Sequence, residues 1–182
     1  MAALISSAGV AAARYDRVAV ALHWIIAALV LAQIGLGWFM VDLPKGPDRG
    51  YYFALHKSLG LTTAFLIILR IVWRLTHKPP PLPDWFPDWQ ARAAEWTHRL
   101  LYACMVVMPV SGYLSSSFTK HPMKLWGMPF FKAGWEDDAI NAVFNGIHVG
   151  TSWLFVALLA LHIGAGLRHL LAGDGVFRRI LP

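Results

Sequence analysis

Apolar positions fall into four long runs, at residues 18–40, 53–75, 95–117 and 146–171, separated by polar or proline-rich segments. Each run holds about 22–26 residues, which is enough to span a hydrocarbon core of about 30 Å as a helix. Backbone groups in lipid must be satisfied within the protein, so the runs predict transmembrane helices. The predicted fold class is an all-α integral membrane protein built as a four-helix transmembrane bundle.

The segments between the runs carry residues that stop helices. Residues 42–47 close the first run, the prolines at 79–81 close the second, and residues 173–175 close the fourth. The Trp-rich segment 79–90 is typical of an interfacial connector. We expect residues 119–145 to form a long outer loop that lies on the membrane surface.

The basic residues predict the orientation of the bundle. With both termini inside, the cytoplasmic ends of the helices carry more Lys and Arg than the outer ends, which favours an N-in, C-in topology. The cytoplasmic set is Arg14, Arg17, Arg70, Arg74, Lys78, Arg92, Arg99, Arg168, Arg178 and Arg179, and the outer set is Lys45, Arg49, Lys57, Lys120, Lys124 and Lys132. We expect residues 1–16 to form a flexible cytoplasmic N-terminus and residues 17–182 a single transmembrane domain.

The amino-acid composition narrows the possible classes of protein further. Of the 182 residues, 57% are hydrophobic and 14% charged, against about 45–50% and about 25% in soluble domains. This balance excludes a disordered chain, a fibrous protein and an ordinary soluble enzyme. The net charge of +6 comes without a basic tract interleaved with aromatic residues, so no nucleic-acid partner is expected. The single Cys104 excludes an internal disulfide, a CxxC metal site and a CxxCH haem attachment.

The eight histidines are many for so apolar a chain. His148 and His162 are fourteen residues apart, which puts them on one face of the fourth helix at a separation of about 21 Å. The outer of the two has a natural partner in His56, and the inner one in His23. Ionisable groups at membrane depth are costly and usually functional. Two His–His pairs, one in each leaflet, fit two haems that are each ligated on both axial sides.

Other residues on the same stripes support this interpretation. Arg70 lies fourteen residues after His56, near the inner pair, where its guanidinium could bind a haem propionate. Gly60, Gly164 and Gly166 lack side chains and would allow a flat macrocycle to approach the backbone.

Several alternatives remain open at these positions. A membrane histidine can instead bond to a neighbouring helix, and small residues are often simple helix-packing positions. Arg70 could extend to the interface. His98, at the polar start of the third run, competes with His23 for the inner site, whereas His77 and His121 fall in loops.

Taken together, several motifs resemble the bacterial cytochrome b561 family. They are RYD at 14–16, LHW at 22–24, LHKSLGL at 55–61, LRIVWRL at 69–75, MPVSGY at 108–113, LH at 161–162 with RH at 168–169, and GDGVFRRILP at 173–182. The resemblance covers nearly the whole chain from Arg14. It implies a multi-pass protein of the bacterial inner membrane with two non-covalent b haems, one on His23 and His162 and one on His56 and His148, and no ligand from the third helix.

The resemblance also implies an activity. At least one member of that family acts as a superoxide oxidase, which takes electrons from superoxide at the outer side and passes them to ubiquinone. Lys57, beside His56, is a candidate for steering the superoxide anion. His169, on the stripe of His162, is a candidate proton group for the quinone. One departure affects the outer face: many relatives have HELH entering the fourth helix, whereas residues 145–148 here are NGIH, which keeps the ligand position and loses a nearby polar contact.

Two other functions remain open. A cytochrome b membrane anchor would pass electrons between a hydrogenase-type or cytochrome partner and quinone, although the compact chain favours a free-standing protein. A histidine-lined metal transporter would need inward carboxylates at mid-membrane, and none of the four runs has one at depth.

Overall fold

Four long helices dominate the computed structural model, which describes residues 14–83 and 85–182. They are α1 (Arg17–Asp42), α2 (Pro47–Thr76), α3 (Asp88–Ser117) and α4 (Asp138–Ala172). Between α3 and α4, strands β1 (Lys124–Leu125) and β2 (Met128–Pro129) pair as a small antiparallel hairpin, and a 3₁₀ turn (Phe177–Ile180) follows α4. All four helices are long and apolar enough to cross a membrane, which confirms the predicted membrane bundle.

The helices are longer than the apolar runs that predict them. α4 begins at Asp138 rather than at 146, because the Asp137 side chain accepts a hydrogen bond from the Ile140 N–H (3.0 Å) and caps a polar first turn. α3 likewise begins at Asp88, inside the predicted connector 79–90. Apolar periodicity cannot detect helical turns that continue into the polar interface. The predicted loop 119–145 is therefore shorter than expected and contains the hairpin.

The bundle consists of two helical hairpins, α1 with α2 and α3 with α4, which meet through α2 and α3. A layer of buried side chains fills its middle, namely Ile26, Val30, Ile67, Leu101, Cys104, Phe155 and Leu158. Cys104 is a buried packing residue, as its apolar surroundings in the sequence indicate.

The outer surface of the bundle is apolar along its length. Leu75 is 80% exposed and Leu171 is 87% exposed, and Phe65, Ile68 and Leu161 also face outward. A contiguous apolar surface of this kind is unfavourable in water and favourable in lipid.

One end of the bundle, here called the terminal face, carries the start of α1 and the end of α4. There the Tyr15 N–H donates to the Arg179 carbonyl (3.1 Å), and the Trp24 indole donates to the Ile180 carbonyl (2.8 Å). The buried Arg179 guanidinium donates to the carbonyls of Pro80 and Pro81. Of the segment predicted to be a flexible tail, residues 1–13 lie outside the described part of the chain, and residues 14–16 make these and related contacts. The opposite end, with β1 and β2, is called the hairpin face.

Asp16 joins two helices at the terminal face. Its Oδ1 accepts hydrogen bonds from the Ala19 N–H (2.9 Å), as the N-cap of α1, and from the Trp73 indole of α2 (3.0 Å). The Ala19 N–H is the main reason that the pKa of this carboxyl lies below its ordinary value of 3.8. The Trp73 bond acts in the same direction and partial burial opposes it.

We expect Asp16→Ala to lower the free energy of unfolding by about 1 kcal/mol, since it removes the cap. Because folding lowers the pKa of Asp16, its stabilisation is present above pH 3.8 and is lost as the pH falls through the lowered value. Thermal unfolding of both proteins in one detergent, at neutral pH and below pH 3.8, measures the difference and its disappearance. Asp42→Ala, at the other end of α1, is the control, and an equal loss in that variant would contradict the role of the cap.

Candidate functional site

The structure brings each predicted histidine pair together between the helices. Towards the hairpin face, the rings of His56 on α2 and His148 on α4 have centroids 6.2 Å apart and lie at 87° to each other. Towards the terminal face, the rings of His23 on α1 and His162 on α4 are also 6.2 Å apart, at 67°. The two pairs are separated along α4 by the buried middle layer.

This spacing fits a metal held between two imidazoles. A metal–imidazole bond is about 2 Å long and a ring nitrogen lies about 1 Å from its ring centre, so two axial imidazoles on one iron place their centroids about 6 Å apart. The donor set also fits, because paired imidazoles are axial ligands of electron-transfer haems. The residues present at both pairs therefore suit a bis-histidine haem.

One ring nitrogen of His148 is held by the protein, as in many histidines that bind a metal through the other nitrogen. Its Nδ1 lies 2.8 Å from the Met108 carbonyl of α3, to which it can only donate, with Ser111 Oγ at 3.5 Å. A proton on Nδ1 leaves Nε2 with the lone pair that binds a metal. Gly112 leaves space for the His148 ring, since a Cβ at this position would lie 3.0 Å from its Nδ1 and Cε1.

The His56 ring has fewer hydrogen-bond partners than the His148 ring. Its buried Nδ1 has no hydrogen-bond partner within the described residues, and the ring faces Gly37 of α1, where a Cβ would lie 3.5 Å from Cε1. Gln33 donates from Nε2 to the His56 backbone carbonyl (3.0 Å). Gly60 provides the space for that amide, because a Cβ at Gly60 would lie 2.9 Å from Gln33 Nε2. In the structure Gly60 therefore accommodates Gln33, while its predicted contact with a macrocycle stays a prediction.

Gln33 and Gly37 were not predicted as site residues. A signal for both exists in the sequence: Gln33 is a polar residue in the middle of an apolar run, and Gly37 lies fourteen residues after His23, on the same stripe.

Arg70 lies beside His23, as its place on the stripe predicts. Its Nη1 donates to the Ala19 carbonyl (3.0 Å), and its Nη2 lies 3.2 Å from His23 Nδ1. A guanidinium can only donate, so His23 Nδ1 accepts and the ring proton is on Nε2. Ligation through Nε2 requires the proton on Nδ1, so Arg70 must release this nitrogen when the ring binds a metal. The released donors then suit a carboxylate.

A third imidazole joins the pair at the terminal face. The His98 ring on α3 lies 5.2 Å from the His162 ring, so the competitor to His23 is present at the site. Within residues 14–83 and 85–182, however, no three His, Cys, Asp or Glu side chains come together as a metal-ion site. Gly164 faces open space and Gly166 faces the Phe177 ring at 3.6 Å, and their predicted contact with a macrocycle stays a prediction.

The two remaining candidate residues occupy opposite faces. Lys57 is half-buried at the hairpin face, within electrostatic range of Lys132, whose ammonium donates to the Thr119 carbonyl. At the terminal face His169 Nδ1 lies 2.6 Å from Asp174 Oδ2. Partial burial raises the pKa of Asp174, but the hydrogen bonds from His169 and the Val176 N–H outweigh it and leave this pKa below its ordinary value of 3.8.

Comparison with known proteins identifies the family. The profile of the prokaryotic cytochrome b561 family matches residues 14–182. The chain belongs to this family. It is 32% identical over 173 residues to cytochrome b561 homolog 2 of Escherichia coli K12, covering 92% of this chain and 91% of that protein. It is 25% identical over 177 residues to cytochrome b561 homolog 1 of the same strain, covering 93% and 97%.

A third relative is more distant. The chain is 20% identical over 173 residues, 93% of its length, to a protein of Yersinia pestis named probable superoxide oxidase CybB, of which it covers 96%. Membership in the cytochrome b561 family identifies the chain as a multi-pass bacterial membrane protein that binds b-type haem and transfers electrons to or from a redox partner. The predicted family is confirmed.

We expect Gly112→Val to lower the haem-to-protein ratio of the purified protein. The added side chain displaces the His148 ring and breaks its hydrogen bond to Met108. Gly150→Val, on α4 where a Cβ meets nothing within 4 Å, is the matched control. The reduced-minus-oxidised absorbance spectrum measures the ratio, and equal haem in both variants would contradict the packing role of Gly112.

Proposed function

We propose that this cytochrome b561 carries two b haems, one on His56 and His148 and one on His23 and His162, and transfers electrons from superoxide to ubiquinone. Two ring pairs with the same 6.2 Å spacing, at two depths, carry the proposal. The two histidine pairs would hold the haems, which would supply reversible one-electron chemistry between the two faces. The reaction converts two superoxide anions, one ubiquinone and two protons into two dioxygen molecules and one ubiquinol.

At the hairpin face the chain would attract a small anion. Lys57 follows His56 directly, and Lys132 adds a second positive charge near it. Acidic residues on the same face, among them Asp42, Asp48 and Glu136, offset the wider field. Attraction would therefore depend on the local charge at Lys57, and it would weaken with ionic strength. The superoxide donor is also supported by the distant relative that carries the name superoxide oxidase.

At the terminal face the chain would supply protons to the quinone. Asp174 Oδ2 lies 2.6 Å from His169 Nδ1 and orients the ring, so that its other nitrogen, Nε2, would exchange a proton with the quinone. The Phe86 ring lies 5.6 Å from the His169 ring and provides an apolar wall for a flat ligand. In the proposed N-in, C-in orientation this face lies on the cytoplasmic side of the inner membrane, where protons and lipid-dissolved quinone are both available.

We expect His148→Ala to lose about half of the haem b and to keep the rest, since each pair would hold one haem independently. The change in the reduced-minus-oxidised spectrum and a haem assay measure this loss. His121→Ala, at an exposed loop position, is the control. Loss of neither haem, or of both, would contradict the assignment of two separate pairs.

Stopped-flow kinetics test the donor and the acceptor separately. Superoxide should reduce the purified cytochrome faster than it dismutates, and Lys57→Gln should slow reduction several-fold and weaken its salt dependence. Lys45→Gln, which changes an exposed cation of the same face, should have little effect.

His169→Phe tests the acceptor side: it should leave reduction by superoxide unchanged and slow reoxidation by ubiquinone by about 100-fold. If superoxide does not reduce the cytochrome, the proposed donor is wrong, and a partner redox protein is the remaining candidate.

A further inference from the structure

A cavity of about 320 Å³ opens at the terminal face, between the first turns of α1, the last turns of α2 and the side of α3. Four cationic side chains line it, Arg14, Arg70, Arg74 and Lys78, against one carboxylate, Asp16. Its volume is at the lower end of pockets that hold small ligands, about 300–1,000 Å³.

The cationic charge of this cavity exceeds the single carboxylate charge that lines it, although Arg14 also donates hydrogen bonds to the carbonyls of Leu181 and Pro182. Asp16 Oδ1 accepts from Ala19 and Trp73, and in the described part of the chain the salt bridges are Arg99 with Glu95 and His169 with Asp174, none of which involves a cavity cation. Cationic groups at the edge of a low-dielectric region need a counter-charge. The cavity is therefore built for an anion.

The cations occupy two levels along α2. Arg70 is bound to the Ala19 carbonyl and to His23, so it serves the histidine pair. Arg74 lies about 6 Å further along the helix axis, with its guanidinium 5.8 Å from the Tyr15 ring centre. Lys78 follows beyond Thr76, the last residue of α2, and is exposed. Arg74 and Lys78 thus lie where a membrane span ends, at the level of lipid phosphates.

Aromatic groups mark the same level. Trp73 stacks on His77 with ring centroids 3.8 Å apart and an angle of 5°, and both line the cavity. Trp and Tyr concentrate at the membrane–water interface, and basic pockets between transmembrane helices bind acidic lipid headgroups.

We propose that this cavity binds the phosphate group of an anionic phospholipid, with Arg74 and Lys78 as the recognising cations. The lipid would fill the space between α1 and α2 and neutralise the cluster. A free phosphate ion or a carboxylate of the haem held by His23 offers the same oxyanion chemistry, so the experiment separates these sources from the lipid.

Native mass spectrometry of the detergent-purified holoprotein tests the proposal, with phosphatidylglycerol, phosphatidylcholine or inorganic phosphate added in turn. We expect retention of phosphatidylglycerol over phosphatidylcholine. Arg74→Gln and Lys78→Gln should each weaken retention about fivefold and leave the haem content and spectrum unchanged. Lys78→Gln carries the test if Arg74→Gln fails to fold, since Lys78 is exposed and lies outside the helix.

Arg92→Gln is the matched control, because Arg92 is an exposed cation near the start of α3 that does not line the cavity. Equal retention of both lipids, or an equal loss in Arg92→Gln, would overturn the proposal in favour of diffuse surface charge. Displacement of the lipid by inorganic phosphate at equal concentration would overturn it in favour of a free anion. A loss of haem in Lys78→Gln would assign the cations to the haem carboxylates. Lipid retention needs no electron transfer, so it is independent of the proposed superoxide activity.

Discussion

An imidazole nitrogen buried between apolar helices is costly unless the protein supplies a hydrogen-bond partner, and this constraint shapes the bundle around His148 and His23. The Nδ1 of His56 has no partner within the described residues. His148 is satisfied by a carbonyl of α3, and His23 by a guanidinium of α2. Each of these hydrogen bonds requires two helices to approach each other at a fixed depth in the bundle. Gly112 lies where the His148 ring packs closely against α3, so the absence of a side chain at this position allows the approach.

Ring contacts between α1 and α4 also hold the two helical hairpins together. α1 and α4 meet through rings rather than through close backbone packing: His23 with His162 near the terminal face, and Trp38 stacked on Trp153 (5.9 Å) nearer the hairpin face. Between these levels the buried layer around Ile67 and Leu158 keeps polar groups apart. The two histidine pairs therefore occupy separate environments within the bundle.

The sequence predicts the parts of this arrangement that depend on local periodicity. Four apolar runs predict four spans, and the fourteen-residue interval between His148 and His162 predicts their shared stripe. Arg70 beside His23 follows from the same rule. Periodicity does not predict the polar first turns of α3 and α4, because neither turn presents an apolar stripe. The Asp137 side chain caps α4, whereas α3 begins after Pro87 without a side-chain cap.

Contacts between distant segments are beyond prediction from periodicity. The bonds from Arg179 to Pro80 and Pro81 join residues about a hundred positions apart, and nothing in either segment alone indicates them. The proton on His23 is likewise fixed by Arg70 of another helix. The contact of Gly60 with Gln33 could not be predicted either, because Gln33 belongs to another helix, α1.

The contacts at the terminal face also set an order of assembly. Chains are synthesised from the N-terminus, so α1 and α2 enter the membrane before the segment that follows α4 exists. Tyr15 and Trp24 can acquire their partners at Arg179 and Ile180 only after α4 has been inserted. Until then, α1 lacks both of these hydrogen bonds and its contact with the His162 ring. The contacts that join α1 to the end of the chain at the terminal face therefore form only after α4 is in place.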